Sequence, residues 1–133
     1  ILVDSEVMLK DYVSEIPDVA FDILDVTQIP VTIIYPAGKN LAAGVCSEDG
    51  SVGIRICHDK FCRELIGKFG KPVVSTSANL SRQKAPENFS EIKETITSSA
   101  DYVVSYRRDE EKKSKPSPVI KIFGDGTLKI LRK

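Results

Sequence analysis

The chain has 133 residues, 41% hydrophobic and 29% charged, enough to bury one core, and no shift in composition asks for a second domain. Nineteen Lys and Arg balance nineteen Asp and Glu, so bulk charge does not advertise nucleic-acid binding and any basic surface must be local. Cys46, Cys57 and Cys62 are odd in number and follow no disulfide framework, which suits a reducing cytoplasm; no apolar run reaches membrane-spanning length and no signal peptide is visible.

Taken in order, Ile1 to Val3 reads as the end of a strand, and a start at Ile rather than Met inside that strand leads us to expect a truncated N-terminus. Ser5 is placed to cap a helix in which Val7, Met8, Leu9, Tyr12 and Val13 repeat at three- to four-residue spacing. Pro17 suits the start of a second helix, with Val19, Ala20, Ile23 and Leu24 on its apolar face. The β-branched run from Val31 to Tyr35 predicts a buried strand ending at Pro36. Ala37 to Gly50 is a loop, and its glycines lack the Gly-Lys-Ser/Thr ending of a phosphate loop.

SVGIRI, Ser51 to Ile56, alternates with period two. Val52, Ile54 and Ile56 face the core, while Ser51, Gly53 and Arg55 share the opposite face. A mid-strand Arg needs water or an anion, and its planar fork suits carboxylate or phosphate; a surface acid is the competing partner. A helix is predicted from His58 to about Phe69, with Phe61, Leu65, Ile66 and Phe69 inward and Gly70 as its cap. Cys57, His58 and Cys62 are too few for a zinc site, and no metal centre is expected. Val73 and Val74 read as a central buried strand that opens into STSANLS, Ser75 to Ser81, either a hydroxyl-lined ligand loop or a capped turn entering a helix. Beyond it we expect a helix from Glu91 to about Ser98 capped by Ser90 and a strand from Tyr102 to Ser105. A solvated mixed-charge loop from Arg107 to Lys115 follows, then a hairpin pairing Val119–Phe123 with Leu128–Leu131.

With SVGIRI upstream and KPSPVIKI and LKILRK downstream, STSANLS resembles the YrdC-like family, the threonylcarbamoyl-AMP synthases, over nearly the whole chain. Its most specific part is Ser77-Ala78-Asn79. The family's upstream Tyr-Pro-Thr strand and Lys-Arg... Lys-Pro loop have no counterpart, so the chain resembles the C-terminal two thirds of one such domain, spanning 1–133. Of the Trp-Pro-Gly-Pro-x-Thr motif only Pro30 and Thr32 remain; Arg82 replaces a Gly, and Pro118 replaces the Thr of Pro-Ser-Thr. A positive φ at Arg82 would be mildly strained.

The resemblance implies an α/β fold with a twisted, mixed, open sheet and packed helices. It implies a nucleotidyltransferase that joins threonine, bicarbonate and ATP into threonylcarbamoyl-AMP and pyrophosphate for tRNA threonylcarbamoyladenosine modification. Mg²⁺ is expected with the ATP, and tRNA or double-stranded RNA and downstream tRNA-modification proteins are the implied partners. By position in the family's motifs, ATP falls to Ser51, Ser77, Ala85 (through backbone) and Arg132, and threonine to Arg55, Ser75 and Ser117; no catalytic base is assigned. Without the Lys-Arg loop the isolated chain is expected to be inactive or impaired. A double-stranded RNA or tRNA binder without catalysis is the alternative, which zero net charge opposes. Carbamoyl-adenylate formation, as in hydrogenase maturation factors, is another, but the zinc-finger and acylphosphatase-like segments of those proteins are not seen.

Overall fold

Local signals at the N-terminal end set the first half of the fold. A computed structural model describes residues 1–133, and they fall into two compact units, 1–75 with 117–133 and 76–116. In the first unit, β1 (Leu2–Val3) leads through Ser5 into α1 (Glu6–Tyr12), where the Ser5 hydroxyl accepts the Met8 N–H at 3.3 Å and satisfies a donor with no helical partner. Pro17 precedes α2 (Asp18–Val26), where its missing N–H costs nothing. β2 (Thr32–Tyr35) and β3 (Val52–Ile56) form an antiparallel pair around the 36–51 loop.

The chain closes with β4 (Val119–Ile122) and β5 (Leu128–Arg132), the predicted hairpin. The result is a five-stranded mixed open sheet in the order β1-β3-β2-β4-β5, parallel at β1/β3 and β2/β4 and antiparallel at β2/β3 and β4/β5. Pro118 lies one residue ahead of β4, so its lack of an N–H removes no ladder bond, while its carbonyl accepts from Thr32 N at 2.9 Å.

Register decides which face is core. Ile33 pairs with Ile54 and Tyr35 with Val52, and these four, with Ile122, are buried together with Leu9 and Val13 of the α1 stretch and Ala20 of α2. One sheet face is thus sealed by helices. Because side chains alternate, Thr32, Ile34, Gly53, Arg55, Val119 and Lys121 point to the other face.

Several expectations are corrected. α3 runs from Lys60 to Phe69, not from His58, because Asp59 caps it by accepting Cys62 N–H at 3.0 Å; it ends at Gly70, whose φ of 69° is the left-handed cap. Only Ile66 of α3 is buried, and Leu65 and Phe69 are 47% and 61% exposed. The helix contacts the sheet at β1, a strand of two residues, too short to cover a broad stripe. Val73 forms no central strand. It makes a single bridge to Leu2 at the outer side of β1, and Val74 is 64% exposed, since Pro72 withholds a donor and the two-residue β1 offers little to pair with.

In the second unit, the helix expected from Glu91 breaks into a 3₁₀ turn, Phe89–Glu91, and α4 (Glu94–Thr97). Asn88 outcompetes Ser90 as cap. Its Oδ1 accepts both Glu91 N–H at 3.2 Å and the Ser90 hydroxyl at 2.9 Å. Tyr102 to Ser105 is not a strand, because the Val103 and Val104 carbonyls accept from the Arg108 guanidinium instead of a neighbouring strand. The mixed-charge run is also tied down locally: Lys113 pairs with Glu87 at 3.3 Å, and Ser114 donates to the Glu87 carbonyl through both its N–H and its hydroxyl.

Candidate functional site

The open sheet face carries the site. Arg55, half-buried on β3, donates from Nη1 to the Ser117 hydroxyl at 2.7 Å. Arg132, on β5, donates from Nε and Nη2 to the Ser117 carbonyl at 2.9 and 2.6 Å. Two guanidinium groups from strands far apart in sequence therefore meet one serine at the entry to β4. The competing partner for Arg55 was a surface acid, and no carboxylate forms an ion pair with it. Its charge is oriented by a neutral hydroxyl and left uncompensated, which is the arrangement that favours an anionic guest.

Beside it, an open groove of about 640 Å³ lies over the middle strands. Ile34 and Gly53 form part of its floor, with Val119 and Leu131 to one side, and Ser51, Asp49 and Lys121 at its polar rim. Ser51 is 4% exposed, and its hydroxyl donates to Asp49 Oδ1 at 2.5 Å while its N–H reaches the same oxygen at 3.0 Å. The other carboxylate oxygen, Oδ2, accepts from Lys121 Nζ at 2.9 Å. These contacts, the Ser51 hydroxyl first and the Lys121 ammonium next, hold the Asp49 carboxyl well below the usual carboxylate range.

Of the residues singled out from sequence, Arg55, Ser117 and Arg132 are thus brought into one hydrogen-bonded group, and Ser51 lies on the same sheet face. Ser75 is exposed and bonds to none of them. Ser77 and Ala85 belong to the second unit. There the rest of STSANLS, from Thr76, is a tight loop, not a helix start: Ala78 and Arg82 have φ of 51° and 66°, and Asn79 Nδ2 donates to the Leu80 and Gln83 carbonyls at 3.0 and 2.8 Å. Arg82 does take the left-handed conformation that favours glycine. Asp49 and Lys121 escaped the sequence reading, although both left signals: Asp49-Gly50-Ser51 is an Asx-type turn, and Lys121 interrupts VIKI on the beat opposite the core.

Other chemistry is poorly served. Burial pushes the Cys57 thiol up, and burial with a hydrogen bond to Asp59 takes Cys62 to about 11, so neither is a ready thiolate nucleophile. No group of three or more His, Cys, Asp or Glu is placed to hold a metal ion. No helix is long and apolar enough to cross a membrane.

A family model described as telomere recombination (Sua5/YciO/YrdC) matches residues 1–133. The chain is 38% identical over 65 residues to the threonylcarbamoyl-AMP synthase of Dichelobacter nodosus, covering 49% of this chain and 34% of the relative. It is 32% identical over 107 residues to that of Pseudoalteromonas translucida, covering 78% and 57%. It is 34% identical over 101 residues to the putative threonylcarbamoyl-AMP synthase of Methanocaldococcus jannaschii, covering 76% and 45%. The chain thus spans between 34% and 57% of the length of these relatives. No solved structure matches it.

Proposed function

Since the chain belongs to the Sua5/YciO/YrdC family, we propose that it binds ATP and threonine and serves the formation of threonylcarbamoyl-AMP for tRNA threonylcarbamoyladenosine modification. The observation that carries this reading is the uncompensated Arg55 guanidinium, oriented by Ser117 on the open sheet face. In this role Arg55 holds the threonine carboxylate with Ser117 beside it, Ser75 adding a hydroxyl, while Arg132 and Ser51 serve the nucleotide.

The reaction asks for placement more than proton transfer. Threonine's amine and bicarbonate give a carbamate with loss of water. A carbamate oxygen, already anionic, forms a bond to the α-phosphorus of ATP as the bond to pyrophosphate breaks. No general base is obligatory, and cations that orient the anions lower the barrier. Any Mg²⁺ would come on the ATP phosphates and supply charge neutralisation there.

Calorimetric titration of the 133-residue chain with ATP and threonine tests the reading, alongside threonine-dependent pyrophosphate release with the full-length Pseudoalteromonas translucida relative as reference. Binding of both ligands is expected, with turnover below the relative, since the match covers only 57% of that protein. Failure to bind either ligand overturns the reading. Salt-sensitive RNA binding without ATP would favour the RNA-module alternative instead.

A further inference from the structure

Asp49 and Lys121 are 72 residues apart in sequence and meet over the groove. Lys121 rises from β4, whereas Asp49 sits in the turn before β3, and β2 lies between those two strands in the sheet. Their ion pair therefore spans the central strand on the open face, above the floor formed by Ile34 and Gly53. It is the polar crossbar of the groove.

The carboxylate divides its work between its two oxygens. Oδ1 takes both donors of Ser51, and Oδ2 takes Lys121. Releasing Lys121 leaves the Ser51 contacts intact and needs no backbone change, since a four-carbon stem can swing while β4 stays in register. The Asp49 side chain is 57% exposed, and ion pairs this open to water hold weakly. The Lys121 side chain is only 26% exposed, with its stem against the sheet and its ammonium 5.7 Å from the Phe123 ring centroid. The cation is thus anchored near the groove while its partner is readily replaced.

We propose that Lys121 is an anion-contacting residue of this groove, masked by Asp49, and that a phosphate group entering the groove takes the ammonium while Asp49 keeps hold of Ser51. The proposal deepens the nucleotide reading above and rests on it: the phosphates in question are those of ATP. Glu48 also lines the groove, so the anion must displace one carboxylate in the presence of another.

Two substitutions that break the same ion pair therefore act in opposite directions. Asp49→Asn keeps an oxygen for Ser51 and unmasks Lys121; Lys121→Met keeps the stem and removes the charge. With inorganic tripolyphosphate as probe, titrated calorimetrically into the 133-residue chain, Asp49→Asn is expected to tighten binding roughly fivefold. Lys121→Met is expected to weaken it at least as much, and the double variant to follow Lys121→Met. Shifts of the same sign, or no shift in either, overturn the proposal, because a purely structural bridge would treat its two halves alike. If ATP and threonine bind the unmodified chain but neither variant moves tripolyphosphate, the masking fails and the functional reading survives. If the opposed shifts appear while ATP and threonine do not bind, the phosphate contact stands and the functional reading fails.

Discussion

Replacing Arg55 by Met should separate threonine recognition from nucleotide recognition. In the native chain Nη1 is committed to Ser117 at 2.7 Å, which fixes the guanidinium plane and leaves its remaining N–H donors for a carboxylate. A hydrogen bond to a charged group is worth about 1.5–3 kcal/mol. Losing one carboxylate contact of that kind raises the threonine Kd about 10- to 150-fold. Arg55→Lys should fall between, since charge is kept and the fork is lost. The fold should tolerate the change: Arg55 faces away from the core, and the lost Ser117 bond, itself made by a charged group, is worth no more than about 1.5–3 kcal/mol. Calorimetry with threonine at saturating ATP, paired with ATP alone, makes the measurement. Threonine affinity within twofold of native, or an equal loss of ATP affinity, would refute the assignment of Arg55 to the amino acid.

Three further outcomes follow from local geometry. Gly38→Ala would set a Cβ 2.6 Å from Cys46 Sγ and 3.0 Å from Val52 Cγ1, so thermal unfolding should show a loss of about 1–3 kcal/mol, partly recovered by adding Cys46→Ala. No loss would mean that the loop yields freely. At Arg82, with φ of 66°, Gly should be tolerated or slightly stabilising while Val loses about 1 kcal/mol or more; equal denaturation midpoints would contradict the left-handed backbone. Asp49 has a depressed pKa in the folded state, so the stability its charge contributes is complete above the unfolded value of about 3.9 and is lost as pH falls through the lower folded value. The stability difference between native and Asp49→Asn should therefore shrink as pH drops below about 4; a difference independent of pH down to 2 would remove the carboxylate from the account.

Much of the fold was legible because it is local or periodic. Ser5, Pro17 and Gly70 mark helix ends through capping chemistry that acts within a few residues, and VTIIY and SVGIRI declare strands by β-branching and alternation. The misreadings share one cause. Val73-Val74 and Tyr102 to Ser105 have strand-like composition, yet a strand exists only where a partner supplies the other half of the ladder. Leu2 offers Val73 one bridge, and Arg108 takes the carbonyls of Val103 and Val104. Leu65 and Phe69 fail likewise, since helical spacing names a face but not what covers it.

The site divides along the same line. Alternation alone put Ser51, Gly53 and Arg55 on one side of a strand, because side-chain direction in an extended chain depends on nothing beyond that chain. That Arg55 finds a hydroxyl 62 residues away, that Arg132 grips the carbonyl of that same Ser117, and that Asp49 reaches Lys121 across β2 depend on strand order and register. Those are settled when hydrophobic faces are buried together, and no short stretch of residues encodes them.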